Sequence, residues 1–228
     1  MAPYYADESV TLFHGDCREI DAWLSADVLV TDPPYGMGYV SNASRYNGPS
    51  AAIVGDATTV ARDEVLALWG DRPALVFGTW RVPRPASVQQ VLVWDKGESP
   101  GMGNLTIPWG TSHEEVYVLG AWPPIRPGGR RREGGNPARS VSVLRAQTLN
   151  SQAHARPAHP TPKPVSLMEQ LVQKCPPGVI ADPFAGSGAT LLAARAQGRR
   201  AVGVELEERY CDLIASRLAQ GDLFGGVA

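Results

Sequence analysis

Residues 179–205 confine this chain to few folds. Val179-Ile180-Ala181-Asp182 is an apolar run of strand length, broken by Pro183-Phe184-Ala185-Gly186-Ser187-Gly188. A helix is expected over 189–197, closed by Gly198. Ala201-Val202-Gly203-Val204-Glu205 is a second strand, and 207–219 a further helix. Two strands joined through a helix run parallel in one sheet, because the crossover carries the chain back to the same edge. The expected fold class is therefore α/β, a mixed, mainly parallel sheet with helices on both faces.

The glycine turn in that unit suits a ligand. Gly186 and Gly188 let backbone approach a bound molecule closely, in the crevice at the carboxyl ends of the strands. Glu205 ends the next strand, placed to accept hydrogen bonds from ribose hydroxyls. Leu191 stands where a dinucleotide fingerprint has its third glycine, and no Gly-Lys-Ser/Thr follows to make a phosphate loop. Asp182 would also repel a pyrophosphate. An adenine nucleoside cofactor without phosphates, such as S-adenosyl-L-methionine, fits this set. The plainer alternative is a turn that only packs helix on strand.

A second motif lies near the N-terminus. Asp27-Val28-Leu29-Val30 reads as a buried strand running into Thr31-Asp32-Pro33-Pro34-Tyr35-Gly36. Two prolines, with fixed φ and no N–H, stop the strand there. The stiff turn that results holds a carboxylate, two proline carbonyls and an aromatic ring. It can grip a flat molecule bearing an amino group: Asp32 and a carbonyl accept its two hydrogens, and Tyr35 covers its face. A strand-ending turn with a helix cap is the other reading.

Elsewhere the sequence predicts strands at 10–13, 74–77, 91–94, 115–119 and 141–144. Helices are expected at 20–24, 62–69 and 165–174, the second with Val65, Leu66, Leu68 and Trp69 as its apolar side. Residues 36–55 are polar and glycine-rich, a long loop beside the Asp32 motif, where Arg45 and Tyr46 could order over substrate. Trp80 and Trp94 read as core, and Trp109 as a loop residue better placed to touch a ligand. Cys17, Cys175 and Cys211 form no Cys-x-x-Cys pair, and His14, His113, His154 and His159 lack ligand spacing. No metal is expected, and a reduced, cytoplasmic setting fits. No apolar run approaches the roughly 20 residues of a membrane span.

The net charge of −2 conceals an asymmetry. Between Ala121 and Lys163 eight basic residues face a single acid, Glu133, so the remainder of the chain is strongly acidic. Arg130, Arg131 and Arg132 are expected to contact phosphates, which adds affinity without choosing sequence. The alternative for this proline- and glycine-rich stretch is a disordered linker. The chain divides into 1–120, a basic insertion at 121–158 and 159–228.

Together, Asp32-Pro33-Pro34-Tyr35 and Asp182-Pro183-Phe184-Ala185-Gly186-Ser187-Gly188 resemble the amino-methylating (N6-adenine/N4-cytosine) DNA methyltransferases. The first motif precedes the second, with 150 residues between the two aspartates, an order that resembles the circularly permuted β subclass. Gly15-Asp16-Cys17, Phe77-Gly78-Thr79, Trp94-Asp95-Lys96, His113-Glu114-Glu115 and His159-Pro160-Thr161-Pro162-Lys163-Pro164 resemble further segments of that family. Pro162 departs from the usual glutamine, and Gly188-Ala189-Thr190 from Gly-Thr-Thr. The resemblance implies a Rossmann-like, circularly permuted fold that uses S-adenosyl-L-methionine, with 1–120 as its catalytic half, 121–158 as a short target-recognition region and 159–228 as its cofactor-binding half. It implies a catalytic role for Asp32, Pro33, Pro34 and Tyr35. Cofactor contacts are implied for Asp16, Lys163, Asp182, Phe184, Gly186, Ser187, Gly188 and Glu205. The implied partner is double-stranded DNA, in the setting of restriction–modification, and members of the subclass often form homodimers. Aspartate before Pro-Pro favours adenine over cytosine, whose enzymes more often carry serine. The competing classes are N4-cytosine methylation and a non-catalytic cofactor- or DNA-binding protein.

Overall fold

The computed structural model describes residues 1–38, 54–97, 106–124, 140–147, 159 and 161–224. Among the described residues nine strands form one sheet: β1 Tyr5–Ala6, β2 Val10–His14, β3 Val28–Thr31, β4 Ala74–Gly78, β5 Gln90–Asp95, β6 His113–Leu119, β7 Val143–Arg145, β8 Ile180–Asp182 and β9 Ala201–Glu205. Across the sheet they run β1-β2-β9-β8-β3-β4-β6-β5-β7. The block β2-β9-β8-β3-β4 is wholly parallel. β6 runs antiparallel to both β4 and β5, β7 is parallel to β5, and β1 is antiparallel to β2. The helices are α1 Val60–Trp69, α2 Val165–Val172, α3 Ala189–Ala196 and α4 Glu208–Phe224, with a 3-10 turn at Ala22–Ser25.

The βαβ unit read from the sequence is thus present, and it fills the middle of the sheet. β8 and β9 lie between β2 and β3, so the C-terminal part of the chain completes a sheet that the N-terminal part begins. Strand side chains alternate between faces, and the core follows that rule. Val28, Val30, Leu75 and Phe77 point into a cluster with Leu167, Met168 and Leu171 of α2, Leu191 of α3 and Ile214 of α4. Leu29, Ala74 and Val76 point into a second cluster with Trp23 and with Val65 and Trp69 of α1. Each fully buried Leu, Val or Phe contributes about 1.5–3 kcal/mol relative to exposure, so both faces must be covered.

The same topology gathers chemistry at one edge. β2, β9, β8, β3 and β4 all end there, at His14, Glu205, Asp182, Thr31 and Gly78. β6, running the other way, begins there with His113, and β5 ends beside it, Asp95 pairing with His113. Residues just beyond these strand ends are therefore neighbours, however distant in sequence.

Several expectations are corrected. The helix expected at 20–24 is a single 3-10 turn shifted to Ala22–Ser25, too short to propagate. On α1, Leu68 is half exposed and Arg62 is buried in its stead, its guanidinium reaching the Pro83 carbonyl at 3.0 Å. β1 was not foreseen, being two residues long. β7 starts two residues later than expected, and α2 ends at Val172 while α4 continues to Phe224. Trp94 is core, but Trp80 is 58 % exposed and Trp109 81 %. The 39–53 part of the expected loop, with Arg45 and Tyr46, lies outside the described residues, as do Arg130, Arg131 and Arg132.

Candidate active site

A cavity of about 740 Å³ opens at the carboxyl edge of the sheet. It is lined by Asp32, Pro33, Pro34, Tyr35, Lys163 and Glu114 from one group of elements. Asp16, Asp182, Phe184, Gly186, Ser187 and Glu205 line it from another. Along the edge these groups follow strand order: Asp16 after β2, Glu205 at the end of β9, the glycine turn after β8, Asp32 after β3. Three strand steps of roughly 4.8 Å put about 14 Å between the two ends.

Asp32 sits in a buried network of charge. Lys163, only 8 % exposed, places its ammonium 2.5 Å from Asp32 Oδ2 and 3.2 Å from Glu114 Oε2. Lys96 holds the other oxygen of Glu114 at 2.5 Å. The Tyr35 hydroxyl lies 2.8 Å from Asp32 Oδ1 and 2.9 Å from Glu114 Oε2. Burial pushes the Asp32 carboxyl above its ordinary range, Lys163 opposing and Glu114 adding to the rise. Burial acts on Glu114 too, but Lys163 and Lys96 outweigh it and hold its pKa at about 2. Burial, then the two carboxylates, keeps Tyr35 protonated well past its usual range. For Lys163, Asp32 and Glu114 overcome burial and stabilise the ammonium.

The turn carrying these groups is fixed by its own backbone. Gly36 has φ 79°, and its N–H donates to buried Asp56 at 2.7 Å. A Cβ there would lie 2.8 Å from the Thr58 carbonyl carbon, so only glycine lets the turn pack against the start of α1.

The other half of the cavity has a different character. Glu205, 8 % exposed, accepts the Gly186 N–H at 2.7 Å and the Glu207 N–H at 2.9 Å. Burial raises its pKa to about 7 despite those two donors. Asp16 is held low by Arg18, whose guanidinium lies 2.5 Å away. Asp182 is engaged within the fold: it accepts from the Thr31 hydroxyl at 2.7 Å and the Phe184 N–H at 3.2 Å, with Thr190 a further partner. Burial lifts it to about 6. Gly186 faces the His159 ring, which packs edge-on against Tyr210 at 4.7 Å.

Of the described residues given a catalytic or cofactor role from the sequence, all but Gly188 line this cavity, and Trp109 does not. Gly188 caps α3 with φ 78°, and a Cβ there would meet Ile214 at 2.9 Å. Its glycine serves helix packing. Lys163, expected on the cofactor, faces Asp32 and Glu114. Sequence reasoning assigned no role to Glu114 or Lys96, although both belong to segments it noted. The signal was present as a charged pair at the ends of apolar strands, which is unusual in a sheet core.

A donor set of this kind fits a nucleoside with a sulfonium tail. Acidic acceptors stand at the β2–β9 end, a glycine-lined approach in the middle, and a carboxylate with an aromatic ring at the β3 end. The comparisons with known proteins point the same way. The DNA methylase family model for N6 and N4 enzymes matches residues 89–216. The chain belongs to that DNA methylase family. This methylase is 28% identical to the type II methyltransferase M.ScaI of Streptomyces caespitosus over 268 residues, covering 95% of this chain and 83% of that protein. Among solved structures, M1.HpyAVI in complex with SAM superposes with TM-score 0.57 at 21% identity, covering 91% of this chain and 99% of that one. The cytosine-N4-specific PvuII DNA methyltransferase superposes with TM-score 0.64 at 17% identity, covering 95% and 88%. Those two likenesses establish the methyltransferase fold for this member of the family.

Proposed function

We propose that this methylase transfers the methyl group of S-adenosyl-L-methionine to the N6 amino group of adenine in double-stranded DNA. The observation that carries the reading is the position of Asp32. Its carboxylate stands at the mouth of β3, beside Pro33, Pro34 and Tyr35, in one cavity with Asp16 and Glu205. The motif order along the chain supports placing the protein in the permuted β subclass.

Glu205 and Asp16 would hold the nucleoside hydroxyls, with Phe184, Gly186 and Ser187 lining its path. When bound, the cofactor supplies a methyl group on a sulfonium centre. The chain's own part is to make a poor nucleophile attack it. The lone pair of an aromatic amine is delocalised into the ring. Asp32 and the Pro33 carbonyl accept its two hydrogens, draw the nitrogen toward tetrahedral geometry and stabilise the positive charge that grows there. Tyr35 would cover one face of the base, which must leave the duplex to reach this depth. Asp32 at this position, where cytosine enzymes more often carry serine, favours adenine.

The test is to incubate unmethylated duplex DNA with protein and methyl-labelled cofactor, digest it, and resolve the nucleosides by mass spectrometry. Label in N6-methyldeoxyadenosine supports the reading. Label confined to N4-methyldeoxycytidine would replace it with cytosine methylation, and no label with cofactor bound would favour a non-catalytic protein.

A further inference from the structure

We propose that Asp32 and Glu114 share one proton through the Tyr35 hydroxyl, so that Glu114 sets when Asp32 can accept hydrogen bonds from the target amine; this rests on the methyltransferase reading above. The geometry requires counting hydrogens. Tyr35 Oη makes two short contacts to the acids, to Asp32 Oδ1 at 2.8 Å and Glu114 Oε2 at 2.9 Å, and accepts a longer one from Lys163 Nζ at 3.3 Å, which leaves its second lone pair for a carboxyl hydrogen. A phenol has one hydrogen, and a carboxylate has none to give. Two full hydrogen bonds along this row of three oxygens need a second hydrogen, carried by one of the two acids. Two carboxylates joined in this way titrate as a pair.

The cations decide which acid carries it. Among the described residues Glu114 is flanked by Lys96 at 2.5 Å and Lys163 at 3.2 Å, Asp32 by Lys163 alone at 2.5 Å. Asp182 on β8 is a further charged neighbour among the described residues, and it disfavours a second negative charge close by. Glu114 is therefore the anion and Asp32 the acid: Asp32 O–H donates to Tyr35, and Tyr35 O–H donates to Glu114. In that form Asp32 is a weak acceptor. It becomes a strong one when the shared proton leaves.

The same row receives the proton that the reaction releases. After methyl transfer the amine nitrogen carries one hydrogen too many. Its N–H bond breaks, the electron pair stays on nitrogen, and the proton bonds to the Asp32 carboxylate. It leaves at Glu114: the Tyr35 hydrogen bonds to Oε2 as the Asp32 hydrogen replaces it on the phenol. Glu114 and Lys96, each about one-fifth exposed, open this end of the row to water.

The test follows single-turnover methyl transfer against pH with duplex and cofactor saturating. In wild type the rate rises with pH along one limb. Glu114→Gln removes the like charge and the shared proton, and moves the limb to lower pH by about one unit or more. Tyr35→Phe keeps both acids but removes the O–H that stabilises their charged forms, and moves it to higher pH. A residue of merely structural importance would lower the rate at every pH and leave the limb in place. Limbs unmoved, or moved in one direction by both variants, overturn the proposal while the methyltransferase reading stands. A wild type inactive at every pH removes that reading itself. Infrared titration of the cofactor-free protein gives a readout independent of turnover. A protonated-carboxyl band present in wild type at neutral pH should lose one group's intensity in Glu114→Gln. Equal bands overturn the proposal even if Glu114→Gln is inactive, and Tyr35→Phe decides it if Glu114→Gln does not fold.

Discussion

Lys163 is the single side chain on which the charge balance of the cavity turns. It is 8 % exposed and spans Asp32 and Glu114, so its removal leaves Asp32 without its cation and Glu114 with Lys96 alone among the described residues. Breaking a buried pair from one side costs roughly 3–5 kcal/mol. Lys163→Met should destabilise the protein by that order in chemical denaturation and reduce methyl transfer by about 100-fold, while calorimetry still detects cofactor binding. Loss of cofactor binding with stability unchanged would return Lys163 to the cofactor. Glu205 gives a prediction with a sign. Its folded pKa, about 7, is raised above the ordinary 4.5 by burial. Between those values the folded state holds a proton that the unfolded state has released. Stability from this group is complete below the lower value and declines as pH rises through the upper one. The stability of wild type relative to Glu205→Gln should therefore fall by on the order of 3 kcal/mol between pH 4.5 and 7. A difference flat with pH would mean that Glu205 is already ionised in the folded protein.

The elements differ in how far the sequence disclosed them. Ala201–Glu205 and the helix after Gly188 were legible, because period and punctuation agree over a few adjacent residues. Asp32 and Glu205 stood out for the same reason, each closing an apolar strand, whereas Asp16 was singled out only by the resemblance of Gly15-Asp16-Cys17; all three line the cavity. Glu114 and Lys96 were not. They join the Asp32 network only because β6 is antiparallel to β4 and carries β5 beside it, pairings between residues 18 to 45 apart that no local pattern encodes. Arg62 was misread for a related reason, since its burial depends on the Pro83 carbonyl 21 residues away. The turn before α3 offers a test of what its glycines are for. Gly188→Ala forces a side chain into left-handed backbone at φ 78° and toward Ile214. It should cost about 1–3 kcal/mol in thermal unfolding. Gly186→Ala, at φ 53° and facing His159 at 3.2 Å, adds a methyl to the cavity wall and should weaken cofactor binding as well. Equal cofactor affinity in the two variants would argue that neither glycine admits the ligand.

Across the whole molecule, the proposed reaction needs DNA at the carboxyl edge, yet the most basic segment follows a strand end at the opposite edge. β6 runs away from the cavity, so Leu119 and Gly120 lie at the opposite edge, where Ala121 N–H donates to the Asp71 carbonyl at 2.7 Å. Residues 125–139, which carry Arg130, Arg131 and Arg132, follow from there. Fifteen residues can span about 50 Å when extended, so reach does not forbid a phosphate contact near the cavity. The cavity rim itself carries other groups. Arg81 donates to Thr111 at 3.1 Å, tying together two loops that expose Trp80 and Trp109. Aromatic faces bind bases with little regard to salt, whereas arginine–phosphate contacts release counterions. The two contributions therefore separate in a salt titration. Replacing Arg130, Arg131 and Arg132 together by alanine should reduce the slope of log K against log salt by about 2.7 if all three neutralise phosphates on the duplex. Trp109→Ala should weaken binding by about 1–3 kcal/mol at every salt concentration and leave the slope alone. An unchanged slope in the triple variant, with weaker binding in Trp109→Ala, would place the DNA on the rim of the cavity and not on the basic segment.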